Sequence, residues 1–360
     1  MMSSALGTEH RTRTAAPDHE HQFVCDVEAR LATLFDEERR RWAADHPPMA
    51  DAVASLESFV LCGGKRLRPR FAFWGHRAGG GRADPELIDL AASLELFHAF
   101  ALIHDDIMDG SDMRRHAPTL HLRFDELHRT NSWRGEARRT SEGLAILVGD
   151  LAFAYSTALL STMPARVRAV FDEMRIELHV GQYLDLMHSA TGVTDADSVA
   201  RIAEFKSAKY SVERPLHLGA ALADASSLTG VLTEFGLTVG RAFQYRDDLL
   251  GVFGHPSETG KPSGDDLLSG KHTALLHLAR SHPAAAGVEA VRLVGTPMCE
   301  PCHVDEVRMF MIDSGVVARV EQMIDELVAS ALTHLKAGRF PADCHDGLAS
   351  LARSAAWRGS

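Results

Sequence analysis

The stretch 84–109, DPELIDLAASLELFHAFALIHDDIMD, predicts a long and deeply buried helix. Asp84 followed by Pro85 is typical of a helix start, and no glycine or further proline interrupts the run before Asp109. Apolar residues occupy nearly every face of this helix, which is typical of a helix surrounded by others. Carboxylates are unfavourable at the negative end of a helix dipole, so the acidic end of this helix indicates a function.

Further helices are predicted along the rest of the chain, and we find no convincing strand pattern and no internal repeat. They lie at about 22–44, 48–62, 143–161, 165–189, 196–206, 208–224, 229–250, 271–280, 303–314, 316–336 and 343–357. The segments 130–143 and 254–271 are predicted loops. The sequence thus predicts an all-α fold, with a polar disordered tail at 1–20 and one large helical domain at 21–360.

Composition narrows the classes of function. The chain has 360 residues, of which 45% are apolar, so it can bury a substantial core. A formal net charge of -11 argues against general nucleic-acid binding. The best candidate for a membrane span, 144–160, carries Asp150 near its middle, and the N-terminus lacks the apolar region of a secretory signal. Five cysteines, an odd number, suit free thiols, so we expect a cytoplasmic protein without a membrane span.

Two acidic clusters have the spacing of metal ligands. Asp105 and Asp109 are four residues apart and stack on one helix face, while Asp106 points about a quarter-turn away. Such a pair can hold a hard cation such as Mg²⁺, which takes its remaining ligands from water and phosphate oxygens. The second pair, Asp247 and Asp248, also follows an apolar helical stretch. The two pairs could face each other across a cavity and hold a small metal cluster.

Basic residues accompany both acidic clusters. A glycine-rich basic turn alone is more often a solvated loop, but here several such groups recur along the chain. A diphosphate bound through Mg²⁺ explains both signs of charge, because arginine and lysine are the side chains that bind phosphate. The basic residues are Lys65, Arg66, Arg68, Arg70, Arg114, Arg115, Lys206, Lys209, Lys261 and Lys271.

These residues carry a resemblance to a known family. GGKRLRP, ELFHAFALIHDDIMDGSDMRR, GQYLDL, KSAKYS, FQYRDDLLGVFG and GKPSGDDLLSGKHT, in this order, resemble the trans-isoprenyl diphosphate synthases, or polyprenyl synthetases. The match runs from about residue 45 to the final AAWR. The resemblance implies an all-α bundle around a deep central cavity, usually homodimeric, and short-chain geranylgeranyl diphosphate synthases are the most similar members.

The resemblance also implies a metal site and two diphosphate sites. Asp105 and Asp109 would bind Mg²⁺ with support from Asp106, and Asp247 would bind a further ion with Asp248 acting through water. About three Mg²⁺ ions per site are implied, with Mn²⁺ as a substitute. The allylic diphosphate would be held by Arg114, Lys206, Lys261 and, less strongly, Lys271. Isopentenyl diphosphate would be held by Gly64, Lys65, Arg68, His98 and Arg115.

Three polar positions near the reacting tail have counterparts in the family. Gln182 and Gln244 match polar residues there, and Ser207 stands where the family often has threonine. Catalytic roles are expected for Lys206, Ser207 and Gln244. The second acidic motif departs from DDxxD because Gly251 replaces its last aspartate, so position 251 is not expected to bind metal.

The implied reaction is ionisation of an allylic diphosphate, attack by the alkene of isopentenyl diphosphate, and proton loss to the released diphosphate. Product length is expected to depend on the residues before Asp105. Ala101 leaves space four residues before it, and Phe100 lies one position further, about 7.5 Å down the helix axis. This pattern resembles the enzymes that form geranylgeranyl diphosphate, with farnesyl diphosphate as the alternative. Phe97 or a facing helix could also form the floor.

The sequence argues against two rival functions and against a cofactor site at one further motif. A class I terpene cyclase would need an element after Asp247 and Asp248 that Gly251 and His255 do not provide. A non-catalytic partner subunit would be expected to lose aspartates or basic residues, which this chain keeps. The segment 298–303, MCEPCH, formally matches a haem or zinc pattern, but without a signal sequence or a second cysteine pair it is interpreted as a loop with free thiols.

Overall fold

The computed structural model of the chain describes residues 15–82, 84–191, 195–256, 260 and 263–357. In these ranges the fold is all-α, as predicted, and β-structure is confined to one hairpin, β1 (Met113–Arg114) with β2 (Ala117–Pro118). The α-helices are α1 (Ala15–Ala43), α2 (Pro47–Leu61), α3 (Leu67–Ala78), α4 (Pro85–Met108), α5 (Leu120–Thr130), α6 (Ala137–Leu159), α7 (Ala165–Thr191), α8 (Ala196–Ala203), α9 (Arg214–Leu222), α10 (Thr229–Phe253), α11 (Asp265–Leu268), α12 (Ala274–Ser281), α13 (Glu289–Leu293), α14 (Pro301–Asp313), α15 (Val316–Ala337) and α16 (Ala342–Ala356). A π-helix spans Glu204–Glu213, and short 3₁₀ turns span Ser226–Leu228 and Pro283–Gly287.

Helix α4 is the central helix of the bundle. Its start agrees with the prediction, because Asp84 caps the helix by accepting a hydrogen bond of 2.9 Å from the backbone N–H of Leu87. Apolar residues are buried on most of its faces, where α1, α2, α3 and α6 pack against it. It ends at Met108 with Asp109 as its C-cap, so the packing of this one helix places the first acidic cluster inside the bundle.

Helix α10 joins two apolar cores. Its first half, including Phe235 and Val239, packs in the core formed by α1 to α7 and α9. Its second half, including Leu249 and Val252, packs with α12 to α15. Asp247 and Asp248 lie in this second half, so both cores position the second acidic cluster.

The π-helix at 204–213 is wedged between α7 and α10 at two glycines. A Cβ at Gly181 would lie 2.6 Å from the backbone N of Lys206, and one at Gly240 would lie 2.4 Å from the Cα of Ala208. Only glycine permits such a close backbone approach. The sequence predicts two ordinary helices here, at 196–206 and 208–224, whereas α8, the π-helix and α9 follow one another without a break. Stretches of π-helix are rare and often lie at functional sites.

Several predicted boundaries differ from the structure. Helix α1 already begins at Ala15, within the segment predicted to be a disordered tail, and residues 1–14 lie outside the described part. Helices α3 and α5 were not predicted. The predicted loop at 130–143 becomes helical at Ala137, and α11 interrupts the predicted loop at 254–271.

Two of the described helices, α4 and α6, are long and apolar enough to cross a membrane. The most apolar window of α4 is 61% buried inside the protein, which is the behaviour of a core helix. The corresponding window of α6 is only 28% buried, and Ile146 and Leu147 are exposed on it. Helix α6 therefore presents an apolar face outside the bundle.

Candidate active site

A cavity of about 660 Å³ lies between α4, α7, the π-helix and α10, and its volume is typical of a small-molecule site. Both predicted acidic clusters reach it, through Asp105 and Asp247. The segment before α3 and the β1–β2 hairpin contribute basic side chains to the same cavity. The predicted residues that line the cavity are Gly64, Lys65, Arg68, His98, Phe100, Ala101, Asp105, Arg114, Arg115, Gln182, Lys206, Ser207 and Asp247.

The first acidic cluster is surrounded by positive charges. Lys206 Nζ lies 3.1 Å from Asp105 Oδ1 and 2.7 Å from Asp185 Oδ2. Asp106 is fully buried and accepts a hydrogen bond of 2.9 Å from Arg114 Nε. Although burial raises it, the pKa of Asp105 is held at about 2 by the charges of Lys206, Lys271 and Arg114. Asp105 is therefore a carboxylate throughout the neutral pH range.

The two carboxylates of the second acidic cluster lie in different environments. Asp247 lines the cavity, whereas Asp248 is buried and accepts hydrogen bonds from Gln244 Nε2 at 2.7 Å and from the backbone N–H of Ala274 at 3.1 Å. Burial raises the pKa of Asp248 to about 7, and the charges of Asp266 and Asp247 act in the same direction. Gln244 thus contacts Asp248 and does not line the cavity.

Lys271 pairs with a carboxylate at the end of α4 and with one on α11. Its Nζ lies 3.0 Å from Asp109 Oδ2, at the end of α4, and 3.6 Å from Asp266 Oδ1, on α11. Both carboxylates are mostly buried. The predicted phosphate-binding Lys271 therefore contacts carboxylates in this structure, as Lys206 does.

The carboxylates fit a divalent cation that is completed by ligand oxygens. Asp105 Oδ1 and Asp109 Oδ2 are buried, and the charged partner of each is a lysine ammonium, that of Lys206 at 3.1 Å and that of Lys271 at 3.0 Å. Within the described residues, no three Asp, Glu, His or Cys side chains converge closely enough to hold a metal ion alone. Mg²⁺ suits such a site, since it commonly binds one or two carboxylates and takes its other ligands from water and phosphates.

A second basic group in the lining of the cavity is centred on Arg68. The Arg68 guanidinium stacks 4.2 Å from the ring centroid of Tyr210 and donates a hydrogen bond of 2.8 Å to Ser211 Oγ. The Tyr210 hydroxyl lies 3.2 Å from His98 Nδ1. Burial, and next the charges of Arg68 and Arg115, hold the pKa of His98 well below its usual value, so this imidazole is neutral.

The glycines before α3 bring the backbone close to Arg115. Arg115 Nη1 donates a hydrogen bond of 2.7 Å to the carbonyl of Gly63. Gly64 has φ of +134°, and a Cβ there would lie 3.0 Å from Arg115 Nη2. Arg66, by contrast, is buried in ion pairs with Glu95 and Glu28, so its charge serves the fold.

An aromatic cluster closes the apolar part of the cavity. Phe100 and Ala101 line it, while Phe97 is fully buried behind Phe100, with 5.5 Å between the ring centroids. The Phe100 ring also packs against Phe153 at 5.2 Å and His179 at 5.8 Å. Of the two phenylalanines named by sequence, only Phe100 contacts the cavity.

Some residues were missed and some predictions cannot be compared. Asp185, Tyr210 and Ser211 contact predicted site residues but had no predicted role, although Asp185 lies in the quoted GQYLDL. Lys261 lies outside the described residues. Lys209 pairs with Glu177 at 2.6 Å and does not line the cavity.

The CxxCH segment contributes to a helix start. All five cysteines of the chain are free thiols. His303 Nδ1 accepts a hydrogen bond of 3.0 Å from the backbone N–H of Glu300, which completes a capping box at the start of α14. The histidine of this motif therefore has a structural partner.

The comparisons with known proteins agree with this arrangement. The family model described as Polyprenyl synthetase matches residues 52–294, more than half of the chain. A geranylgeranyl pyrophosphate synthase from Corynebacterium glutamicum, solved in complex with isoprenyl diphosphate and magnesium, is similar with a TM-score of 0.89 and 37% identity, covering 94% of this chain and 99% of that chain.

Two sequence relatives differ in the product that they are named for. A geranylfarnesyl diphosphate synthase from Aeropyrum pernix is 33% identical over 279 residues, which are 74% of this chain and 81% of that protein. A (2E,6E)-farnesyl diphosphate synthase from Mycobacterium tuberculosis is 35% identical over 231 residues, which are 62% of this chain and 59% of that protein. The resemblance found in the sequence motifs is therefore confirmed: the chain belongs to the polyprenyl synthetase family.

Proposed function

We propose that this protein is a chain-elongating prenyltransferase that condenses isopentenyl diphosphate with allylic diphosphates and forms mainly geranylgeranyl diphosphate. One observation carries the proposal. A single cavity combines carboxylates from two helices, Asp105 and Asp247, with basic side chains on its walls and an apolar end at Phe100. Two diphosphates and a hydrocarbon tail require those three surfaces in one site.

The acidic clusters are proposed to hold the magnesium. Asp105 and Asp109 would bind on one side and Asp247 on the other, with Asp106 and Asp248 in support. When bound, the metal supplies positive charge that stabilises the departing diphosphate. We expect about three ions per site and substitution by Mn²⁺. The complex of the Corynebacterium glutamicum enzyme with magnesium supports this assignment by similarity.

Lys206 and Arg114 are proposed to bind the allylic diphosphate. Both line the cavity, and both already contact carboxylates of the first cluster. Their positive charges stabilise the diphosphate as its bond to carbon breaks. Lys271, which follows α11, is proposed to assist in binding this diphosphate. Lys261 is proposed to bind it as well, on the basis of the resemblance. Ser207 lines the cavity next to Lys206, where it would orient the reacting groups.

Isopentenyl diphosphate is proposed to bind at the second basic group, which consists of Gly64, Lys65, Arg68, His98 and Arg115. Arg68 is held against Tyr210, so its guanidinium is preorganised for a phosphate. The neutral His98 can donate a hydrogen bond without adding charge. The alkene then attacks the allylic carbon, and the product loses a proton to the released diphosphate.

The product length is proposed to follow from Phe100 and Ala101. Ala101 leaves room directly below Asp105, and the ring of Phe100 is held by its aromatic neighbours about 7.5 Å down the axis. A growing chain would stop where it meets this ring. Phe97 does not line the cavity, so it is not expected to contact the growing hydrocarbon chain.

We further propose that the protein is a cytoplasmic homodimer built from a single catalytic domain, without nucleic-acid or membrane partners. Helices α6 and α7 support the dimer, because each exposes large apolar residues, of which Leu147 and Ile176 are 64% and 61% exposed. The five free thiols support a reducing compartment.

The experiment that tests product length is incubation of purified protein with labelled isopentenyl diphosphate and each of dimethylallyl, geranyl and farnesyl diphosphate. Dephosphorylated products are then separated by chain length. We expect a C20 product from all three starters. Accumulation of C15, with farnesyl diphosphate left unused, would instead assign a farnesyl diphosphate synthase.

A further inference from the structure

One face of α7 contacts the π-helix over three successive turns. Glu177, Gly181 and Asp185 follow one another at intervals of four residues, so they lie on the same face of α7. A Cβ at Gly181 would lie 2.6 Å from the backbone N of Lys206, and Asp185 Oδ2 lies 2.7 Å from Lys206 Nζ. Glu177 is only 5% exposed and makes the third contact inside the protein. This face of α7 is therefore the surface against which the π-helix packs.

The carboxylate of Glu177 binds two basic side chains at once. Its Oε1 accepts hydrogen bonds of 2.6 Å from Lys209 Nζ and from Arg214 Nη2, and its Oε2 accepts one of 2.6 Å from Arg214 Nε. Burial raises the pKa of Glu177, but the hydrogen bonds and charges of Arg214 and Lys209 outweigh burial and lower this pKa. Glu177 is therefore an ionised carboxylate at neutral pH, and its pairing with Arg214 is bidentate.

Lys209 and Arg214 are separated by the hydrogen-bond spacing of a π-helix. In an α-helix, residues five apart point about 140° away from each other, at 3.6 residues per turn. The backbone hydrogen bonds of a π-helix join residues five apart, which brings such residues to one face. The N–H of Arg214 donates its hydrogen bond to the carbonyl of Lys209, so this pair is itself joined in the π-helical manner. The pairing of both side chains with Glu177 thus favours the π-helical register.

The π-helix also forms part of the cavity wall. Its residues in the lining are Lys206, Ser207, Tyr210 and Ser211. Lys206 Nζ lies 3.1 Å from Asp105 Oδ1, whereas Tyr210 and Ser211 hold the guanidinium of Arg68. A change from π-helical to α-helical spacing would rotate these side chains relative to one another. The register of this segment therefore decides where groups from both basic parts of the cavity lie.

We propose that Glu177 is a positioning residue of the active site, which holds the π-helix in register through Lys209 and Arg214. This register directs Lys206 into the cavity. The inference rests on the proposed function, which assigns the binding of the allylic diphosphate to Lys206. The competing explanation is that these buried charges only stabilise the fold, so that any replacement of equal stability would leave the reaction unaffected.

A variant that removes every charge of this cluster separates the two explanations. Glu213 belongs to the cluster, because it is buried and the charges of Arg214 and Lys209 act on its pKa, which burial raises. The uncharged variant combines Glu177→Leu, Lys209→Met, Glu213→Gln and Arg214→Met. Replacement of a complete buried ion network by apolar side chains is often neutral or stabilising, so its thermal unfolding temperature should equal or exceed that of the wild type. Glu177→Gln alone leaves two buried basic groups without their carboxylate, so it should unfold at a lower temperature.

The reaction is then measured with farnesyl diphosphate, labelled isopentenyl diphosphate and Mg²⁺ in variants that are folded. We expect the uncharged variant to have a kcat roughly a hundredfold below that of the wild type, since misplacement of a catalytic group by about 1 Å can cost this much. A loss of kcat at full stability is a result that a purely stabilising role would not produce.

A single substitution gives a second and milder test. Lys209→Met removes one basic partner and leaves Glu177 paired with Arg214, so the buried carboxylate keeps a counter-charge and the protein should fold. We expect its kcat to fall about tenfold, because half of the contact with Glu177 remains. The control is Arg77→Leu with Asp343→Leu, which removes a half-buried ion pair of 2.7 Å between α3 and α16, outside the cavity lining. This control should keep the kcat of the wild type.

Each outcome decides between the explanations. Wild-type kcat in the folded uncharged variant would overturn the positioning role of Glu177 and leave the proposed function intact. If that variant does not fold, Lys209→Met decides in the same way, because wild-type kcat in it would also overturn the role. An equal loss of kcat in the control pair would show that the effect is not specific to Glu177. A folded wild type that forms no product with Mg²⁺ would overturn the proposed function and this inference together.

Discussion

Lys271 Nζ lies 3.0 Å from Asp109 Oδ2, and this contact joins the segment after α10 to the end of α4. It places a positive charge between carboxylates that would otherwise repel one another. Lys206 does the same for Asp105 and Asp185. In the protein alone, lysines thus neutralise the carboxylates that we assign to cations.

Lys271→Met should therefore destabilise the protein in the absence of metal. Removal of the ammonium leaves Asp109 and Asp266 without their shared partner, and we expect the free energy of unfolding to fall by about 1–3 kcal/mol. Urea unfolding at neutral pH measures this difference. Lys336→Met, at an exposed lysine of α15, is the control. Equal urea midpoints for the two variants would show that Lys271 contributes nothing to the folded state.

Phe100→Ala should lengthen the product. The substitution removes the ring that closes the apolar end of the cavity, so we expect C25 and longer products with ionisation largely unaffected. Chromatography of the dephosphorylated products gives the distribution. The control is Phe97→Leu, which alters the fully buried neighbour and should leave product length unchanged. An unchanged distribution in Phe100→Ala would mean that the floor lies on a facing helix.

His217 should make stability depend on pH. It is buried on α9, 3.1 Å from Thr233 Oγ1, and burial, with the charge of Arg214, lowers its pKa from 6.5 to about 4. As the pH falls, the unfolded chain therefore takes up this proton before the folded protein does. The contribution of neutral His217 is complete above pH 6.5 and is lost as the pH falls towards 4.

The variant His217→Gln removes this titration while it keeps a polar partner for Thr233. Denaturant unfolding at pH 7 and pH 4.5 should show that the wild type loses roughly 2–3 kcal/mol more stability than the variant over this interval. Other groups titrate equally in both proteins, so the difference isolates His217. Parallel losses in the two proteins would contradict the depressed pKa.

The proposed homodimer can be tested at the exposed apolar residues. Leu147→Asp on α6 and Ile176→Asp on α7 each place a charge on a face that is otherwise apolar, and a buried charge without a partner weakens association strongly. Light scattering after gel filtration should give a dimer for the wild type and a monomer for at least one variant. Met309→Asp, on exposed α14, should stay dimeric. A wild-type monomer would contradict the proposal.

The sequence predicts the long helices because each of them has an apolar periodicity or a clear cap. Asp84 with Pro85 marks the start of α4 correctly. Helix α3 was missed because the basic residues and Pro69 at its start resemble a turn, whereas Phe71 and Trp74 are buried in its interior. Helix α5 was missed because it is short and mostly polar.

The cavity was anticipated from the two acidic pairs, which could face each other across it, and from the resemblance. The order of the motifs predicts that Asp105, Asp247 and Lys206 lie in one site, and in the structure all three line the same cavity. The π-helix cannot be recognised from periodicity, since it depends on the close approach of Gly181 and Gly240 from other helices. The close approach of Asp266 to Gly251 likewise depends on how two segments pack, so no local sequence pattern predicts it.

The central claim is that Asp105 and Asp247 hold the cations that drive condensation of two diphosphates. Asp105→Asn and Asp247→Asn should each lower the rate by about a hundredfold to a thousandfold or more without unfolding the protein, because each removes charge stabilisation from the reaction. The control, Asp346→Asn, should retain wild-type activity.

The most direct measurement is the incorporation of labelled isopentenyl diphosphate into product with farnesyl diphosphate as starter. The wild type should form labelled C20 product with Mg²⁺ and none in excess EDTA, and the Asp105 and Asp247 variants should form almost none with Mg²⁺. Equal product formation in EDTA would contradict the metal site. No product from folded wild type with Mg²⁺ would contradict the enzyme itself and favour a partner subunit without catalysis of its own.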